Sequence, residues 1–77
     1  MNWREKVTIN PEICHGKACI KGTRVMVSVI LDNLAEGESY ESIMSGYHVM
    51  QEDIQAAIAY AADLAEERHV SLEQEVH

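Results

Sequence analysis

Residues 14–24 gather both cysteines, one histidine and three of the six bases of this chain: Cys14, His15, Lys17, Cys19, Lys21 and Arg24. Thiols beside an imidazole invite a metal, but a structural zinc needs four ligands, normally as two recognisably spaced pairs. Here there is one Cys-His-x3-Cys run, and the remaining histidines, His48, His69 and His77, are scattered. A disulfide would be out of place in a reducing compartment. The simpler reading makes Cys19 a small core residue and Cys14 a half-exposed loop residue. No metal and no cofactor is expected. No nucleophile–base pair and no carboxylate pair stands at a recognisable spacing, so an enzyme is not expected either.

The cations have two readings. Lys17 and Lys21 are loop and strand-edge charges, or they meet phosphate. Residues 1–24 hold five of the six bases against two acids, a charge of +3, and residues 25–77 hold one base, Arg68, against eleven acids, a charge of −10. The acidic part repels nucleic-acid backbones and anionic membranes. It would attract a basic protein partner and speed the encounter, or it simply keeps a small protein soluble.

The elements that must position these residues follow from length and period. A 77-residue chain forms one small domain and buries only roughly 60% of its unfolded surface, so its core is marginal without a supplement. No apolar run approaches the ~20 residues that span a bilayer, and the first six residues lack a signal-peptide core, so a cytoplasmic protein without membrane contact is expected. Val7-Thr8-Ile9 and Ala18-Cys19-Ile20 read as two short strands, separated by the Asn10-Pro11 turn signal and Gly16. Gly22 breaks the second strand through a positive-φ turn in which Thr23 bonds local backbone. From Val27 the period becomes helical, with Val27, Ile30, Leu31 and Leu34 on one face and Gly37 as the stop. Ser39 caps a second helix (about 40–46) with Ile43, Met44 and Tyr47 as its apolar face and Gly46 closing it. The third helix (about 51–67) carries the stripe Ile54, Ala57, Ile58, Ala61, Leu64 and Ala65, with Tyr60 between its edge and solvent. Glu52 and Asp53 lie in its first turn and Arg68 near its end, as the dipole prefers. The tail 69–77, with a capping pattern from Ser71 to Gln74, either frays or folds on a partner.

The result is a single mainly α domain: a β segment (7–25), then a three-helix, helix-turn-helix-like core (27–68) and a tail (69–77). In such an arrangement the later helix lies in a DNA major groove, where Gln51 and Gln55 could read adenine edges. Its exposed face, however, carries Glu52, Asp63, Glu66 and Glu67 and no base before Arg68. The basic N-terminal segment is the better phosphate contact. The short β segment leaves unpaired edges, which a homodimer would pair.

The run Gly16-Lys17-Ala18-Cys19-Ile20-Lys21-Gly22-Thr23-Arg24-Val25, with Pro11-Glu12-Ile13 before it and Gly37-Glu38-Ser39, Glu52-Asp53-Ile54 and Tyr60-Ala61-Ala62 after it, resembles the bacterial family known as domain of unknown function 433. The likeness covers about residues 7–66. It implies a homeodomain-like core behind an N-terminal β segment, no enzymatic activity, and a VapB-like antitoxin role. In that role the chain masks a PIN-like ribonuclease toxin and, as a dimer, binds operator DNA. A stand-alone helix-turn-helix regulator and a dimeric interaction module without DNA binding are the alternatives. This sequence departs from the family pattern at Ala18 and Met26, where prolines are usual, at His15, which replaces a glycine, and at Met50, which replaces a threonine cap. Without that cap the third helix loses about 1 kcal/mol unless a neighbour substitutes. Arg24 has a structural role, pinning the β segment to Asp53 or Glu52, or a functional one, touching a phosphate or the partner. The motif set is thus Gly22, Thr23, Arg24 and Asp53, and the contact candidates are Lys17, Lys21, Arg24, Gln51 and Gln55.

Overall fold

The computed structural model describes residues 2–67. The expectations for Arg68 and for the tail 69–77 lie outside the described residues. A single tight helical turn at Trp3–Glu5 leads into β1 (Val7–Thr8). After the loop through residues 9–18, β2 (Cys19–Ile20) pairs antiparallel with β1, Val7 facing Ile20 and Thr8 facing Cys19. Three helices follow: α1 (Val27–Ala35), α2 (Tyr40–Tyr47) and α3 (Gln51–Glu67). The protein is therefore mainly helical, with a two-strand sheet ahead of three helices. None of the described helices is long and apolar enough to cross a membrane.

Each helix starts and stops for a visible reason. The Asn10 side chain accepts the Glu12 amide at 2.8 Å and turns the chain away from β1. The first amide of α1 has no side-chain cap; the Ala18 carbonyl accepts the Val27 N–H at 3.0 Å, so the β segment itself caps the helix. At its end, the Glu38 amide reaches Asn33 O and the Gly37 amide reaches Leu34 O, both at 3.0 Å, with Gly37 at φ +90. Those are the two bonds of a Schellman motif. A Cβ at Gly37 would meet nothing within 4 Å, so strain alone opposes it. Gly37→Ala is expected to cost about 1–2 kcal/mol, read as a shifted denaturant midpoint at constant slope. Ser39 caps α2 by accepting the Ser42 amide at 3.1 Å.

Two boundaries and faces differ from expectation. Gly46 lies inside α2, and the left-handed residue that closes the helix is His48, at φ 57. The chain turns there because the next residue, Val49, must reach the core, where it is 6% exposed. On α3 the buried face is rotated from the expected stripe. Ile54 and Ala57 are buried as expected, but Ala56 is buried with them, while Ile58 and Leu64 are about two-fifths exposed. The reason is tertiary: the Trp3–Glu5 turn and β1 pack on the Tyr60 side of α3 and cover it. Around α3, the core joins Val7 and Ile20 of the sheet to Val27 and Ile30 of α1 and Ile43 of α2.

Candidate functional site

The turn Gly22–Val25 is fixed from inside by one hydroxyl. Thr23 Oγ1 donates to the Ile20 carbonyl at 2.7 Å and accepts the Val25 amide at 3.0 Å. The Ile20 amide in turn donates to Val25 O at 2.9 Å, and Gly22 takes φ +82. Only glycine adopts that conformation freely. The expected roles of Gly22 and Thr23 are therefore what the structure contains.

Arg24 and Asp53 are not brought together. Arg24 is exposed on the turn and lines a shallow cleft with Ile13, Gly22 and Thr23. The Asp53 carboxylate instead accepts the Met50 amide at 2.9 Å. Met50 has no side-chain oxygen with which to cap α3, and the third residue of the helix reaches back to the Met50 amide as one half of a capping box. Val49 and Ile54, before the cap and one turn inside, both sit in the core as a hydrophobic staple does. Asp53 thus supplies the reciprocal half of the box and leaves the half that a threonine at position 50 would supply unfilled, and Glu52 is exposed.

The contact candidates lie on separate features. Lys17 and Lys21 are both exposed. Lys17 lines an open apolar groove of about 590 Å³ with Ile9, Ala18, Val27, Leu31, Tyr60 and Leu64, a different cleft from that of Arg24. Gln51 and Gln55 are exposed on the opening turns of α3, which follows α2 after the three residues His48, Val49 and Met50.

The two thiols sit over the same turn. Cys14 Sγ donates to Arg24 O at 3.3 Å and Cys19 Sγ donates to Thr23 O at 3.6 Å. Cys19 is fully buried and Cys14 half-buried, and both are free, in line with the core and loop roles expected of them. Burial pushes the Cys19 thiol above its usual 9.0; the adjacent Cys14 thiol pushes the same way, and the charge of Arg24 opposes them. The folded state therefore holds the Cys19 proton more tightly than the unfolded chain. Its contribution to stability is complete below pH 9.0 and is lost as the pH rises through the higher folded value. Alkaline denaturation curves are expected to fall less steeply for Cys19→Ala than for the parent; identical slopes would contradict this. Among the described residues, no three His, Cys, Asp or Glu side chains come together as metal ligands would.

Sequence reasoning did not find the N-terminal anchor. The Trp3 ring stacks edge-on against Tyr60 at 4.8 Å, and its indole N–H donates to the Asp63 carboxylate. The Arg4 guanidinium lies over the Trp3 ring, 4.4 Å from its centre. One signal was present: Tyr60 and Asp63, three residues apart, share a helix face. Nothing in the sequence linked that face to Trp3.

The family described as protein of unknown function (DUF433) matches this chain over residues 7–61. Among solved structures, a DUF433 member protein from Anabaena variabilis is similar, with 25% identity and a TM-score of 0.68, covering 92% of this chain and 67% of that one. No curated protein matches the chain.

Proposed function

The chain belongs to the DUF433 family, and from that premise we propose that it is a recognition protein of the antitoxin type, masking a PIN-like ribonuclease in the cytoplasm. The supporting observation is the one-signed helical surface. Between Val25 and Glu67 there is not one Lys or Arg, while Asp32, Glu36, Glu38, Glu41, Glu52 and Glu66 are exposed. A ribonuclease must hold phosphates and so presents a basic groove; an acidic helical face fits it in place of RNA. The exposed apolar side chains Ile58 and Leu64 on the same helix supply what a purely polar contact lacks, a desolvated centre. The chain acts as a homodimer in this reading, with Ile9, 57% exposed just beyond β1, at the joint between copies.

Co-expression with a ribonuclease encoded beside this chain, followed by purification and an RNA-cleavage assay, tests the reading. The complex is expected to be inactive. The double charge reversal Glu52→Lys with Glu66→Lys is expected to weaken inhibition at least roughly tenfold while the fold persists. A folded variant that inhibits as well as the parent would sink the reading.

Operator binding has its own support. α2 and α3 follow each other as in a helix-turn-helix, and Gln51 and Gln55 are exposed where a recognition helix meets base edges. A gel shift on the chain's own promoter should then weaken as salt rises. Replacing both glutamines by alanine should remove sequence preference and leave the salt slope unchanged. If no shift is seen even at low salt, the DNA reading fails and the masking reading stands alone.

A further inference from the structure

We propose that Cys14 and Cys19 form a reversible dithiol pair, closing to an intramolecular disulfide under a hydroperoxide. Both thiols donate to carbonyls of consecutive residues, Arg24 and Thr23, so both sulfurs lie over one short piece of backbone. They come from different elements, Cys14 from the loop and Cys19 from β2. Their exposure differs in the way such a pair requires: Cys14 is half-buried and open to attack, and Cys19 is buried behind it. The loop around Cys14 is held in an unusual shape, with Cys14 at φ 53, His15 at φ 57 and Gly16 at φ 81 in succession. Two non-glycine residues in the left-handed region carry strain that an ordinary connection avoids.

The chemistry balances. Cys14 sulfur, giving up its thiol proton, attacks the peroxide O–O bond; that proton goes to the leaving hydroxide, giving a sulfenic acid and, from hydrogen peroxide, one water. Cys19 sulfur then displaces the hydroxyl from Cys14 sulfur, losing its proton and releasing the second water. The pair gives up two electrons, and the peroxide takes them. A dithiol reductant reverses the step by exchange. Once the sulfurs bond to each other they have no hydrogen to donate, and the carbonyls of Thr23 and Arg24 lose their partners. The bridge ties the loop to β2, while the turn keeps its own bonds through the Thr23 hydroxyl and between Ile20 and Val25.

The test treats the reduced full chain with hydrogen peroxide and reads intact mass, alkylation after unfolding, and amide exchange. Both thiols are expected to disappear together, on a single chain lighter by two hydrogens, with complete recovery by dithiothreitol. Exchange at the Thr23 and Val25 amides, whose acceptors are Ile20 O and Thr23 Oγ1, should be unchanged on oxidation. Cys19→Ser should halt at a Cys14 sulfenic acid that dimedone traps, and Cys14→Ser should leave Cys19 reduced under the same treatment. A native chain in which Cys14 is oxidised while Cys19 remains alkylatable would overturn the pair, as would a disulfide linking two chains. Should Cys19→Ser fail to fold, the mass and alkylation of the unaltered chain decide the matter.

Discussion

Trp3→Ala is expected to lower stability by about 3 kcal/mol, a large share of what a domain of this size has to lose. Four contributions go at once. The ring is half-buried and packs against the core cluster. Its edge-on contact with Tyr60 is of the kind worth about 1 kcal/mol beyond area. Its N–H is the donor to Asp63, and a hydrogen bond to a charged group contributes about 1.5–3 kcal/mol. The Arg4 cation over the ring, an exposed contact, adds about 0.5 kcal/mol. Trp3→Phe should retain the ring contact and lose only the donor, falling between the parent and alanine. Asp63→Asn should cost less than Asp63→Ala, because an amide oxygen still accepts. Urea unfolding at constant slope measures all four variants. A Trp3→Ala loss below about 1 kcal/mol would show that the N-terminal turn rests on α3 without holding it.

The second large effect is at Asp53. Asp53→Ala should cost about 2 kcal/mol, because the Met50 amide loses its acceptor, the buried Asp53 carboxylate, and that carboxylate's favourable position in the dipole is also lost. Asp53→Asn keeps an acceptor and loses the charge, and should cost about half as much. The informative partner is Met50→Thr, which restores a side-chain cap. It should stabilise the parent by about 0.5–1 kcal/mol and recover part of the Asp53→Ala loss. If Asp53 instead held Arg24, Arg24→Ala would be as damaging as Asp53→Ala; the exposed position of Arg24 predicts a change within about 0.5 kcal/mol.

If the acidic surface masks a ribonuclease as proposed, charge reversal on α3 weakens that inhibition and should leave the fold intact, since Glu52 and Glu66 are exposed and carry no cap or core contact. Exposed charges of this kind change stability by only a few tenths of a kcal/mol. The Asp53 and Glu52 variants are adjacent in sequence yet should separate cleanly, one in unfolding and the other in binding.

Much of this molecule is written locally. The Gly22 turn with its Thr23 hydroxyl, the Gly37 stop and the Ser39 cap each depend on residues within a few positions of one another, so sequence period and turn chemistry suffice to place them. The core residues Ile30, Ile43 and Ile54 were legible for the same reason. The candidate site was legible only as a set of residue types. That Arg24 would stand free, that Asp53 would cap α3 and that Lys17 would border an apolar groove are outcomes of how the β segment lies on the helices.

Helical period alone determined that α3 has an apolar side, but it could not decide which edge of that side is covered. The stripe through Ile58 and Leu64 is as apolar as the face through Ala56 and Tyr60, and the periodicity is satisfied either way. The choice is made by a tryptophan sixty residues from its acceptor, and no local rule sees a contact of that span. The same holds for the two thiols, which the sequence separates by a loop and the fold brings over one turn. Short-range propensities set which elements form; long-range packing, in a domain with little core to spare, sets which of their surfaces remain available to a partner.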